Sequence, residues 1–253
     1  EAPYVAEEVR RYMIQEYGLK AYSEGLEVYT TINSKFQNHA ADALRSGLED
    51  YDKRHGFRKP KNIFELFPLN FFQYSKAEKI YEAGETLNIE SSDFDEKSDL
   101  SNVFQYLETF TENRDSFIGV VTGNLKDLEV LTRYGNLIDI KWSEDLKWAR
   151  PYISENRRGA RPRSFSDITK LGDLVWLSKD NVTQTISLTQ IPEVQSALIS
   201  IDPKSGSILA SVGGYDFFLS KFNRVDQASP LLGSNFKPFL YAAAFSDGFT
   251  PVS

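Results

Sequence analysis

Two residues near the end of the sequence have the types and spacing for acyl transfer. They are Ser234 and Lys237, in the run Gly233-Ser234-Asn235-Phe236-Lys237-Pro238. Residues three apart on a helix share a face, so the hydroxyl and the amine can meet there. A lysine desolvated by its surroundings is neutral and accepts the serine proton, which turns the hydroxyl into a nucleophile. A helix opening near Ser234 adds free N–H groups and a positive dipole end, both suited to developing negative charge. Gly233 lets the backbone turn tightly just before it. The bare pattern Ser-x-x-Lys is common by chance, and spacing alone equally allows Ser234 to be an N-cap and Lys237 a solvated lysine. Context has to decide between them.

Other chemistries are less well served. The chain has no cysteine, which removes disulfides, thiolate nucleophiles and cysteine-based metal sites. Its two histidines, His39 and His55, fall on or beside one helical stretch, where a solvated structural role is the expectation. No metal site and no cofactor site is expected. A net charge of -7 argues against a nucleic-acid partner for the whole chain. Against that background Arg150, Arg157, Arg158, Arg161 and Arg163 form a local basic cluster. It is either a contact for phosphates, nucleic acid or an acidic partner, or a solvated loop balanced by nearby acids.

The positioning elements follow from periodicity. Pro3 to Tyr17 reads as a helix with Val5, Val9, Tyr12 and Met13 on one side and Gly18 at its end. Leu26 to Ile32 reads as a strand. Ser34 to Gln37 fits a capping box opening a second helix. Its apolar stripe runs Phe36, Ala40, Ala43, Leu44, Leu48, Tyr51, and Gly56 closes it. Residues 62 to 114 are irregular, with aromatics from Phe64 to Tyr74 that form either a binding surface or, as expected, a satellite core, and with the acidic, serine-rich stretch SSDFDEKSD; part of this region is expected to be mobile loop. From Phe117 to Ile191 short strand candidates recur: FIGVVTG, LEVLTRYG, NLIDIKW, DLVWLS and TQTISLTQ. They suggest a small β-barrel or sandwich with Trp142, Trp148 and Trp176 packed inside. SALISI and SILASV flank Asp202-Pro203-Lys204-Ser205-Gly206, a hairpin whose turn has Pro and Gly where the backbone wants them. The terminal helix runs from near Ser234 to Ser246, with Gly248 just past it.

The segment VQSALISIDPKSGSILASVGGYDFFLSKFNRVDQASPLLGSNFKPFLYAAA resembles class A penicillin-binding proteins, whose transpeptidase domain opens with such a hairpin, a G-G-x-D-F…FNRA-type loop and a G-S-x-x-K-P helix. LEVYTTI with its Gln-containing helix, and LEDYDKRHGFRKP, look like that family's interdomain linker. WARPYI and RRGARPR are similar to the OB-like domain of the Gram-negative 1A group. The resemblance implies an α+β chain: linker helices and strand over 1–60, an OB-like small β-barrel over 61–191, and over 192–253 the hairpin and nucleophile helix of a transpeptidase domain. The linker strand and the final hairpin are expected to share a sheet.

The resemblance further implies a bifunctional murein synthase at the periplasmic face of the inner membrane, with its anchor and glycosyltransferase domain upstream. Ser234 takes the nucleophile role, Lys237 the base role, and the Ser234 N–H one oxyanion donor. Partners implied are peptidoglycan stem peptides, β-lactams and an outer-membrane lipoprotein activator at the OB-like domain, with no nucleic acid. The family's S-x-N and K-T/S-G boxes follow the nucleophile. Here Ser154-Glu155-Asn156 and Lys204-Ser205-Gly206 match them in letter but precede Ser234; the first falls in the OB-like region and the second is the hairpin turn, so both are expected to be decoys. The isolated chain is therefore expected to be inactive. The alternative is a regulatory module whose OB-like part docks a protein activator.

Overall fold

The computed structural model describes residues 2–66, 99–112, 115–124, 126–180 and 183–252. Helix α1 (Pro3–Tyr17) starts on a proline whose missing N–H costs nothing in the first turn, and it stops where Gly18 takes φ 59°. Of the four residues expected on its inner side, Val5, Val9 and Met13 are half-buried and Tyr12 is exposed. The residue it buries is Tyr4, which sits edge-on to Phe217 at 5.1 Å and donates its hydroxyl to the Ser220 carbonyl at 2.8 Å.

Residues 26–32 do not form the expected strand. Leu26, Val28 and Tyr29 are exposed, so this β-rich run has no apolar face to pair over. Its far end still reaches the final hairpin, through Thr31 Oγ1 to the Ile208 carbonyl at 2.7 Å and Asn33 N–H to the Leu209 carbonyl at 2.9 Å.

Helix α2 (Ser34–His55) follows, and its cap is Asn33, not Ser34. The Asn33 side-chain oxygen accepts from the N–H groups of Lys35 and Phe36 at 3.0 and 3.2 Å. Asparagine caps at least as well as serine, so the assignment moves one residue upstream. That frees Gln37 for other work, described below. The buried face of α2 is Gln37, Ala40, Leu44, Leu48 and Asp52. Phe36, Ala43 and Tyr51 lie outside it. An apolar stripe closed at each end by a buried polar residue needs a partner for each, and both are present.

The chain then enters an all-antiparallel sheet. Strands β1 (Ser116–Gly123), β2 (Leu128–Thr132), β3 (Leu137–Ile140), β6 (Leu174–Lys179) and β7 (Ile186–Thr189) pair in the order β3-β2-β1-β6-β7. All five expected strands are there, and the sheet curls until its edges β3 and β7 approach each other. Strands β4 (Tyr152–Ser154) and β5 (Arg157–Arg158) make a separate small hairpin with Glu155 and Asn156 at its turn.

Inside the curl pack Phe57, Val121, Leu128, Val130, Ile140, Phe165, Val175, Leu177 and Leu188, with Trp142 and Trp148 at the margin. Trp176 is not among them. It lies on the outer face with Ile63, Val103, Leu107, Ile118, Val120 and Leu174, because alternate residues of a strand face opposite ways. The short turn α3 (Ile63–Leu66) and helix α4 (Asp99–Glu108) cover that face. Helix α4 falls in the stretch expected to be irregular; Val103 and Leu107, four apart and fully buried, are its anchor. Phe64 packs beside them, whereas Phe67, Phe71, Phe72, Tyr74 and residues 91–98 lie outside the described residues.

Last come β8 (Leu198–Ile201) and β9 (Ile208–Val212), paired with each other and laid on α2. Asp202 closes their turn by accepting from the Lys204 N–H at 3.1 Å and the Ser205 hydroxyl at 2.6 Å, and Gly206 takes φ 73°. These bonds, the Ser205 hydroxyl first, hold the Asp202 carboxyl below the usual range. Helix α5 (Lys237–Ser246) closes the described chain.

Candidate active-site turn

The hairpin β8–β9 precedes Ser234 in the chain and is itself held firmly on α2. Ala210, Val212 and Tyr215 pack against Ala40, Leu44 and Leu48 of α2. Gln37 fixes the register: its amide nitrogen donates to the Ser211 carbonyl at 3.0 Å, and its oxygen accepts the Ser211 N–H at 2.9 Å. One side chain thus does for β9 what a neighbouring strand would.

The loop leaving β9 folds back on the strand end. The Arg224 N–H donates to the Gly213 carbonyl at 3.0 Å. A Cβ on Gly213 would stand 2.2 Å from Asn223 Oδ1, so only glycine admits this close approach. Asn223 Oδ1 accepts from the Val225 N–H, and Gln227 accepts from the Asn223 N–H at 2.7 Å. Asp216 organises the other arm by accepting from the N–H groups of Phe218 and Leu219. Tyr215 reaches back to α2, donating to Glu49 at 2.8 Å while its carbonyl accepts from Arg45 Nε at 3.3 Å. Burial, with the Glu49 charge second, pushes the Tyr215 phenol up, so it stays a donor.

From this anchored loop the chain reaches Gly233, whose φ of 49° turns it into a single 3-10 turn, Gly233–Phe236. The Lys237 N–H donates to the Ser234 carbonyl, and Lys237 begins α5 with Pro238 in its first turn. The expected helix is therefore present, with Ser234 one turn outside its α-helical part. Residues three apart eclipse in a 3-10 turn and neighbour each other in an α-helix, so Ser234 and Lys237 share a side in either geometry. Both are exposed, and α5 buries no residue. Phe239, Leu240, Tyr241 and Phe245 stand open to solvent.

No hydrogen bond joins the Ser234 hydroxyl to the Lys237 amine, and among the described residues nothing walls the pair from water. The two literal matches to the family's later boxes are turns, at Glu155-Asn156 and at Pro203-Lys204-Ser205, away from this site. Among the described residues no group of three or more His, Cys, Asp or Glu could hold a metal ion, and no helix is long and apolar enough to cross a membrane.

One cluster was not anticipated from sequence. Asp52 at the foot of α2 pairs with Arg58 at 2.7 Å and accepts from the Gln190 amide at 2.7 Å. The same amide donates to the Gly56 carbonyl at 2.8 Å, and Gln190 Oε1 accepts the Arg58 N–H at 3.0 Å. Arg58 also donates to the Ile191 carbonyl at 2.7 Å. The segment that enters the sheet region and the one that leaves it are tied together here.

The family model described as the penicillin-binding protein OB-like domain matches residues 84–194. Penicillin-binding protein 1A of Escherichia coli K12 is 36% identical over 252 residues, which is 100% of this chain and 26% of that protein. Penicillin-binding protein 1A of Pseudomonas aeruginosa is also 36% identical, with 100% of this chain and 27% of that one covered. The crystal structure of penicillin-binding protein 1A from Haemophilus influenzae superposes with a TM-score of 0.68 at 29% identity, over 96% of this chain and 30% of that one. The chain thus spans about a quarter of the length of the curated relatives it matches. Matched over its whole length at 36% identity, and through its OB-like part by the family model, the chain belongs to the penicillin-binding protein family, type 1A.

Proposed function

We propose that this chain is part of a peptidoglycan synthase in which Ser234 is the transpeptidase nucleophile and Lys237 its base. The observation that supports this reading most is the placement of the two residues on one side of the helix mouth, after a loop locked by Asn223 and Gly213. The Ser234 Oγ attacks the carbonyl carbon of a D,D-peptide bond in a stem peptide. Its proton passes to Lys237 and from there to the departing amine as the C–N bond breaks, leaving an acyl-serine ester. The amine of a second stem peptide then attacks the ester carbonyl, a new C–N bond forms as the C–O bond to Ser234 breaks, and the proton that this amine sheds passes through Lys237 to Ser234 Oγ. The Ser234 N–H, free at this end of the helix, faces the developing oxyanion. A β-lactam carbonyl takes the first step and stops at the ester.

Residues 1–60 then serve as interdomain linker, 61–191 as the OB-like domain and 192–253 as the opening of the transpeptidase domain. The work is done at the periplasmic face of the inner membrane. With Ser234 and Lys237 both open to solvent, the 253-residue chain alone is expected to acylate poorly. The test is labelling by a fluorescent penicillin, read on gels and by intact mass. In the full-length protein carrying this sequence, label is expected on the wild type and absent after Ser234→Ala. Label that persists after Ser234→Ala overturns the nucleophile. A stoichiometric adduct on the 253-residue chain overturns its inactivity.

A further inference from the structure

The chain is acidic overall, with a net charge of -7, yet one surface carries concentrated positive charge. Arg157 and Arg158 form β5, and Arg161 and Arg163 follow within the next five residues. All four are exposed, and none of their guanidinium groups takes part in an ion pair among the described residues. The nearby acids are otherwise engaged: Glu155 accepts from the Tyr152 hydroxyl at 3.3 Å, and Asp167 accepts from the backbone N–H of Arg163 at 2.8 Å. The foot of α2 adds to the field, since the Arg158 stem lies against Gly56 and Arg54 stands over the Tyr51 ring at 5.6 Å.

Four exposed guanidinium groups without an ion pair among the described residues fall within seven residues of chain, and no acid of the fold compensates them. An external anion does. Its form follows from the geometry. None of the four lines the cavities of about 220 and 210 Å³ beside the sheet and beside α1, so a small enclosed anion is not what they address. Arg157 and Arg158 are neighbours on a strand and leave it toward opposite faces, so the charge surrounds the hairpin and does not line one groove. Such a distribution suits a flexible chain bearing repeated anionic groups. Guanidinium forks match carboxylates and phosphates alike, and the polymer that the proposed function brings to this protein bears carboxylates. Exposed Tyr152 and Ile153 on β4 offer apolar surface between the charges.

We infer that the β4–β5 hairpin and the loop to Arg163 form a non-catalytic docking surface for a carboxylate-bearing glycan-peptide polymer. Given the proposed function, on which this rests, that polymer is peptidoglycan, held through the carboxylates of its peptides. The surface keeps product strands beside the enzyme independently of the acyl-serine site.

The experiment is co-sedimentation of the 253-residue chain with purified insoluble peptidoglycan across a salt series. Retention is expected at low salt and falls steeply as salt rises, because the contact is ionic. Replacing the four arginines by glutamate is expected to weaken retention about tenfold or more at low salt. Replacing them by lysine retains most of it, which separates charge from any folding defect. Capping the polymer carboxylates as amides removes retention by the wild type. The inference is overturned by unchanged retention of the glutamate variant, by unchanged retention on amidated polymer, or by equal retention on single-stranded DNA. The Ser234→Ala variant is expected to sediment like the wild type. Label that persists after Ser234→Ala in the full-length protein, with salt-sensitive sedimentation retained, therefore sinks the acyl-serine reading alone, and label lost after Ser234→Ala with unchanged sedimentation of the glutamate variant sinks this one alone.

Discussion

Gln37 and Ser211 meet through two hydrogen bonds, one in each direction, across 174 residues of sequence. The pairing satisfies both backbone groups of a buried strand residue with one side-chain amide. Gln37→Leu leaves the Ser211 N–H and carbonyl buried without partners, at a cost of about 2–3 kcal/mol. Gln37→Glu keeps the acceptor but sets a buried carboxylate oxygen against the Ser211 carbonyl, so it is expected to cost at least as much. Urea unfolding with an unchanged slope checks both. An unaltered midpoint for the leucine variant would show that the pairing contributes nothing.

Asp52, Arg58 and Gln190 are expected to behave as one unit. Asp52→Ala removes the acceptor of two short bonds and is expected to destabilise by about 1–3 kcal/mol, since Gln190 loses a buried acceptor while Arg58 keeps the exposed Glu193 carboxylate at 3.3 Å. Gln190→Ala alone is expected to cost less. The double variant should cost less than the sum, with a coupling of about 1 kcal/mol or more. Additive losses would mean that the bonds act independently.

Gly213→Ala places a methyl group 2.2 Å from Asn223 Oδ1. Overpacking of this kind costs about 1–3 kcal/mol. Faster hydrogen exchange is expected at Val225, whose N–H the displaced side chain holds. Unchanged exchange would argue that the loop moves without strain.

Asp173 gives a pH dependence. Burial raises its carboxyl above the usual range, despite bonds from the Lys170 N–H and the Asn62 amide, both at 2.7 Å. Between the ordinary aspartate value and that raised one, the folded protein binds more protons than the unfolded chain. Its stabilising contribution is therefore full at low pH and is lost as pH rises through the raised value. The stability advantage of wild type over Asp173→Asn is expected to shrink as pH rises through that interval and to be flat above it. Denaturation midpoints measured upward in pH from the ordinary aspartate value decide it. A gap that widens with pH would reverse the sign.

Ser234→Ala is expected to leave stability within about 0.5 kcal/mol of wild type, because the side chain is exposed and holds nothing in place. A larger loss in thermal melts would make it a structural cap.

Elements whose signal is local were legible in the sequence. The five strands of the curled sheet, the Asp202–Gly206 turn and the terminal helix, expected from near Ser234 and found as a 3-10 turn leading into α5, follow from short strand runs between turn signals and from turn and cap chemistry. Residues whose role depends on distant partners were not. Gln37 reads as half of a capping box until β9 arrives to claim it, and Asn33 caps instead. Residues 26–32 have strand composition, but no apolar face opposite them completes a ladder. Helix α4 was hidden because two buried residues, Val103 and Leu107, make too short a stripe to stand out. Of the candidate site, spacing and helix could be read directly. The depth at which Ser234 and Lys237 sit could not, since depth belongs to whatever packs around them.

The meeting of Gly56 and Arg58 with Gln190 has an evolutionary reading. A stretch of more than a hundred residues departs and returns at one point, like a balloon tied at its neck. Because the knot is made by residues at the neck itself, the contents of the balloon can grow, shrink or be exchanged between lineages while α2 and the final hairpin keep their embrace. Sequence drift should accordingly run fast within the loop of chain and slow at Asp52, Arg58 and Gln190.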